Sequence, residues 1–102
     1  MMIKSELINK IAEQQPYLLR ADVEASVNAI IELMIDELGK GGQIHIRRFA
    51  SFSVRKRKAI MGRNPQNGQS VFIPARRIVH FKAATELKNR VNESSSQYTI
   101  DI

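Results

Sequence analysis

Gly62-Arg63-Asn64-Pro65-Gln66-Asn67-Gly68 is the stretch of this chain whose residue types and spacing could do specific chemistry. Arg55-Lys56-Arg57-Lys58 runs into it and Arg76-Arg77 follows shortly after. Asn before Pro, with Gly closing, is turn chemistry: Pro presets φ near −65° and Gly supplies the positive φ that closure needs. Two cationic strands should therefore meet at a tip carrying an arginine, an asparagine and a rigid proline. The chemistry on offer is non-covalent. Arginine supplies charge to a nucleic-acid groove, Asn can read base edges, and an apolar ring can press between bases. The same turn also closes ordinary solvated hairpins, so the surrounding charge has to decide between the two.

Charge favours the groove. Of 102 residues, 16 are Lys or Arg and 10 are Asp or Glu, a net +6. From Arg47 to Arg90 there are twelve basic residues and one acid, Glu86, whereas residues 1–42 hold four basic and seven acidic side chains. Segregation of this kind is the footprint of a polyanion binder, because each neutralised phosphate releases condensed counterions. An anionic membrane surface would need a basic amphipathic helix, and the basic residues here fall on strands. No apolar run approaches a membrane span of roughly 18 residues, and the first ten residues lack a signal-peptide core. The expected location is the cytoplasm.

Catalysis has no visible apparatus. There is no cysteine, no Gly-rich phosphate loop, no HExxH and no Ser/His/Asp constellation. His45 and His80 lack metal-ligand spacing and read as solvent-facing or contact residues. Neither an enzyme nor a cofactor is expected. A chain this short buries a limited core, and without disulfides or metal the remaining way to enlarge it is oligomerisation.

The elements that must position the tip follow from periodicity. Ser5 reads as an N-cap, with Glu6 in the first turn of a helix to about residue 15 whose stripe is Leu7, Ile8 and Ile11. Pro16 breaks it. A second helix spans Arg20 to Leu38, with Val23, Val27, Ile30, Ile31, Met34 and Leu38 at helical spacing, and Gly39-Lys40-Gly41-Gly42 ends it. That stripe is generous for so small a chain and points to a second subunit. Gln43 to Arg48 alternates as a strand, Phe49 and Phe52 bracket a tight connection, and a second strand leads through Val54 into the basic arm. Val71 and Ile73 begin the return, Pro74 interrupts it, and Ile78 to Phe81 resumes it. A last helix runs from about Ala83 to Val91. The segment 93–102 is Ser-rich and expected to fray. The fold class is α+β: two N-terminal helices, a three-stranded antiparallel sheet with a protruding hairpin arm at about 55–76, and a short C-terminal helix.

This order, with Gly62-Arg63-Asn64-Pro65 at the arm tip and Phe49-Ala50-Ser51-Phe52 at its root, resembles the bacterial HU and integration host factor family over about residues 3–92. Lys4-Ser5-Glu6-Leu7-Ile8, His80-Phe81-Lys82 and Glu86-Leu87 look more like the integration host factor beta subunit than like HU. The resemblance implies an intertwined dimer, a homodimer or a heterodimer with an alpha-type chain, whose arms wrap the minor groove of double-stranded DNA and bend it. It implies Pro65 as the wedge in a base step, with Arg63 and Asn64 beside it in the groove. Arg55, Lys56, Arg57, Lys58, Arg76 and Arg77 would line the DNA path, and Lys4, Lys82 and Lys88 would hold phosphates on the flanks. Arg47 matches a groove-contacting arginine, and His45 takes the place of the usual glutamate beside it.

The chain also departs from the family pattern. Arg48-Phe49-Ala50 replaces Gly-Phe-Gly, and Ala where Gly served a positive φ would cost about 1 kcal/mol. Ala83-Ala84 replaces Pro-Gly and lets the last helix begin differently. Ile60 replaces an arginine, so one arm contact is lost or becomes apolar. The expected function is a non-enzymatic, nucleoid-associated DNA-bending protein supporting transcription, replication and recombination. The alternative is an RNA-binding structural protein such as a small ribosomal component, which explains the charge but not Pro65.

Overall fold

The computed structural model describes residues 1–94 in two compact units, the first Met1–Glu37 and the second beginning at Leu38. In the first, helix α1 (Lys4–Gln14) and the start of helix α2 (Arg20–Gly39) form a helical hairpin. Ile8, Val23 and Val27 are buried together, with Ile11 and Ala12 packed on them. Spacings of three and four residues put these side chains on one face of each helix. Polar bonds tie the hairpin across its surface: Arg20 donates to Asn9 Oδ1 at 2.8 Å and Lys4 Nζ to Asn28 Oδ1 at 2.8 Å. Ser5 is not the N-cap. Ile3 holds that position with extended backbone and no side-chain cap, and its carbonyl accepts from Leu7 N–H, which places Ser5 inside the first turn.

The second unit is built on an antiparallel sheet of strands β1 (Ile44–Ile46), β2 (Ala50–Arg57) and β5 (Arg76–Ala83), in the order β1-β2-β5. Strands β3 (Ile60–Arg63) and β4 (Ser70–Ile73) pair with each other and form the arm. The arm continues the β2–β5 ladder after one interruption on each side, at Lys58-Ala59 and at Pro74-Ala75. Proline has no N–H to give a ladder, so the break falls where Pro74 stands. Helix α3 (Thr85–Ser94) closes the unit and starts two residues later than the sequence suggests. Ala84 N–H donates to Phe49 O at 2.8 Å, so Ala84 is the hinge into α3 and its carbonyl accepts from Lys88 N–H. Because α3 continues through Ser94, Glu93 and Ser94 are helical, contrary to the expected tail. The rest of that segment, 95–102, lies outside the described residues.

Strand β1 is shorter than its alternating sequence because Arg47-Arg48-Phe49 form the turn to β2. The strained position in that turn is Arg48, at φ 72°, and not Ala50. Ala50 lies in β2 opposite both Ile46 and Ala83 and is 2% exposed, so alanine there carries no backbone penalty and its small size suits the burial. Phe81 packs edge-on against Phe52 at 5.4 Å between ring centroids and against Phe49 at 6.3 Å, arrangements that ring quadrupoles favour.

Candidate nucleic-acid interface

Cross-strand partners point to the same face of a sheet and successive residues to opposite faces. The β1–β2 and β2–β5 registers therefore sort every side chain. One face carries His45, Ser51, Ser53, Arg55, Arg57, Arg76, Ile78, His80 and Lys82. The other carries Ile44, Ile46, Ala50, Phe52, Val54, Val79, Phe81 and Ala83, and turns cationic only at the arm root, with Lys56 opposite Arg77. The sheet is thus amphipathic, and its polar face has four permanent cations, two histidines and no acid.

This sorting divides the sequence-predicted contacts. Arg55, Arg57, Arg76 and Lys82 share the polar face, all exposed. Lys56 and Arg77 lie on the opposite face, and the Arg77 guanidinium reaches over Gly41, with Nη2 3.0 Å from where a Cβ would stand. Lys58 is exposed in the break between β2 and β3, and Arg47 is exposed in the β1–β2 turn. Lys4 stands at the start of α1, with its ammonium already donating to Asn28. Lys88 borders a hollow of about 470 Å³ with Phe81, Ala83, Leu87 and Val91, on the apolar side of the sheet rather than beside Lys82.

At the tip, Asn64 N–H donates to Gln69 O at 2.8 Å and Gly68 N–H to Asn64 O at 2.8 Å. Gly68 takes φ 70°, the left-handed conformation that lets the chain close. The Asn64 side chain holds the turn: its Oδ1 accepts from Gln66 N–H at 2.9 Å, as Asn67 Oδ1 does from Gln69 N–H at 3.0 Å. The carboxamide of Asn64 is therefore partly spent on shape, leaving its NH₂ for a ligand, while Arg63 and Pro65 are exposed on either side. A turn stapled in this way presents the proline ring without further ordering cost.

Two features escaped sequence reasoning. His45 Nδ1 lies 2.8 Å from Ser51 Oγ, its cross-strand neighbour. Arg48 makes a two-pronged contact with Glu86, 2.5 Å from Nε and 2.6 Å from Nη2, and Arg90 Nε lies 4.0 Å from the same carboxylate. The Arg48 hydrogen bond holds the Glu86 carboxyl below its ordinary range; partial burial opposes this and the Arg90 charge adds to it. The single acid of the basic half is thus spent on tying the strained β1–β2 turn, which carries Arg47, to α3. The available signal was the paired oddity of an arginine where the family pattern has glycine and a lone acid in a basic segment.

Among the described residues no group of three or more His, Cys, Asp or Glu is placed to hold a metal ion, and no helix is long and apolar enough to cross a membrane.

A sequence model described as bacterial DNA-binding protein matches residues 2–92. The integration host factor subunit beta of Halorhodospira halophila is 49% identical over 96 residues, covering 94% of each chain. That of Hahella chejuensis is 47% identical over 93 residues, covering 91% of this chain and 95% of its own. Among solved structures, the HU of an Anabaena HU–DNA cocrystal aligns with a TM-score of 0.77 at 32% identity, covering 88% of this chain and 97% of its own. An HU mutant from Thermotoga maritima aligns with a TM-score of 0.64 at 28% identity, covering 88% and 99%. With the amphipathic sheet, the basic arm and the stapled Asn-Pro tip all in place, this chain belongs to the bacterial DNA-binding protein family of HU and integration host factor, on the side of the beta subunits.

Proposed function

We propose that this chain is an architectural protein that binds double-stranded DNA as one subunit of a dimer and bends it, with no catalytic step. The observation that carries the reading is the one-sided sheet, whose cationic face runs on into an arm that ends in exposed Arg63 and Pro65. Phosphates are met by Arg55, Arg57, Arg76 and Lys82, and the arm carries Arg63 into the minor groove. Pro65 enters a base step. A ring without an N–H can do so without leaving a buried donor unpaired. Bending a site costs roughly 1–6 kcal/mol and each unstacked step a few more, which phosphate contacts and the wrapped surface offset.

Dimerisation is supported by how little one chain buries. Among the described residues only Ile8, Val23, Val27 and Ala50 are buried apolar side chains, while Ile30, Leu33 and Ile35 on α2 remain 58%, 68% and 55% exposed and Val79 on the sheet 58%. A 102-residue fold with that core needs a second subunit, either another copy or an alpha-type chain. The working location is the nucleoid, and the supported processes are DNA packaging, transcription, replication and recombination. The test is competition: a nicked or prebent duplex should displace labelled linear duplex better than an unlabelled linear duplex does, and RNA hairpins should compete poorly. RNA hairpins that compete as well as nicked DNA would overturn the reading.

A further inference from the structure

Basic residues explain how the arm is attracted, but they do not explain why its strands are apolar. The register Ile60↔Ile73, Met61↔Phe72, Gly62↔Val71 and Arg63↔Ser70 sorts the hairpin into two faces. On one, Ile73 folds over Gly62: a Cβ at that position would come within 2.8 Å of Ile73 Cδ1, so the missing side chain is what allows the contact. Gly62 and Ile73 are partly covered by this contact, while Ile60 and Val71 on the same face stay 52% and 44% exposed. The opposite face carries Met61 and Phe72 as a direct cross-strand pair, 65% and 63% exposed, with Arg63 and Ser70 as the next rung toward the tip. Two large apolar side chains stand in water on the segment expected to touch the ligand first.

An occupant of this rung must be apolar at its surface and anionic at its edges. Besides Arg63, residues 55–77 contain six Lys or Arg: Arg55, Lys56, Arg57, Lys58, Arg76 and Arg77. The same span has no acid. The minor groove of duplex DNA has that character, with deoxyribose C–H surfaces on its walls and phosphates along its rims. We infer that Met61 and Phe72 form an apolar rung that lies against the sugar walls of the minor groove, between the phosphate contacts at the arm root and the tip. This rests on the proposed arm-in-groove reading and adds the component of affinity that counterion release does not supply. A thioether beside an aromatic ring suits the task, because methionine adapts its shape to an uneven wall.

The test pairs M61T/F72T, which keeps every charge and strand-compatible side chains, with R63A. Affinity for a labelled duplex is measured across a salt series. The apolar rung predicts that M61T/F72T shifts the line of log Kd against log salt in parallel, weakening binding about tenfold for partial burial of two large side chains. R63A should instead make the slope shallower. A parent-like line for M61T/F72T beside a weakened R63A overturns the rung alone. Parent-like lines for both overturn the arm reading and the rung with it. On the unmodified protein, saturating duplex should slow peroxide oxidation of Met61 several-fold, and an unchanged rate overturns the inference without relying on any variant. Parent-like DNA binding by M61T/F72T together with lost binding to phosphatidylglycerol vesicles would assign the rung to a membrane surface and overturn it as well.

Discussion

Salt dependence gives the sharpest quantitative consequence of the sorted sheet. Four cations share its polar face, Arg55, Arg57, Arg76 and Lys82, and Arg47 and Arg63 extend the set at the turn and the tip. If these six neutralise one phosphate each, the slope of log K against log salt is about −5.4 per subunit, at about −0.9 per phosphate. Raising salt fourfold, from about 50 to about 200 mM, then weakens binding about 2,000-fold for one engaged subunit, and the dimer slope reaches about −11 if both engage fully. Fluorescence anisotropy of a labelled duplex at several salt concentrations measures this directly. Face placement adds a prediction that composition alone cannot make. Arg57→Ala should reduce the slope by about 0.9 per subunit, whereas Lys56→Ala, one residue away but on the other face, should change it less. A flat profile refutes the electrostatic account, and equal slope changes for the two variants refute the facial one.

Pro65→Ala keeps every charge, so its affinity for linear duplex should fall modestly while its preference for nicked or gapped duplex over linear duplex increases, because such DNA has already met part of the deformation cost; competition binding measures the ratio, and an unchanged ratio counts against the wedge. The folded-state pKa of Glu86 is lowered, so the stability contributed by its contact with Arg48 is present above the unfolded carboxyl value and lost as pH falls through the folded one. The stability gap between the parent and Glu86→Gln should therefore narrow as pH falls through and below the ordinary carboxyl range, read by denaturant unfolding, and a constant gap would contradict the assignment. Because so few apolar residues are buried within one chain, dilution should lower the melting temperature, and a concentration-independent melt with a monomeric mass would refute obligate dimerisation.

The parts of the fold that sequence made legible are those with strong local signals. Helix α2 follows its apolar spacing, the arm follows Asn64-Pro65 and Gly68, and Pro74 marks the ladder break. Ends without such signals shifted. Ser5 offers a capping hydroxyl, yet the cap falls two residues earlier at Ile3, whose carbonyl accepts the first helical hydrogen bond from Leu7 N–H. Arg48 at positive φ could not be anticipated from its neighbours, because the residue that engages it, Glu86, is 38 positions away. In sequence the basic clusters run linearly, as Arg55 to Lys58 and Arg76-Arg77, whereas the pleat sends Lys56 and Arg77 to the face opposite Arg57 and Arg76. Alternation was present in those residues, but a run of like charges hides the period that mixed apolar and polar residues reveal.

Energy transfer between dyes at the two ends of a short duplex, read at saturating protein and low salt, tests the central claim most directly. Bending brings the ends together, so transfer should rise on binding, and Pro65→Ala at saturation should recover much of the unbent value. A duplex that is fully bound, as anisotropy would report, yet keeps the end-to-end transfer of free DNA would contradict the account.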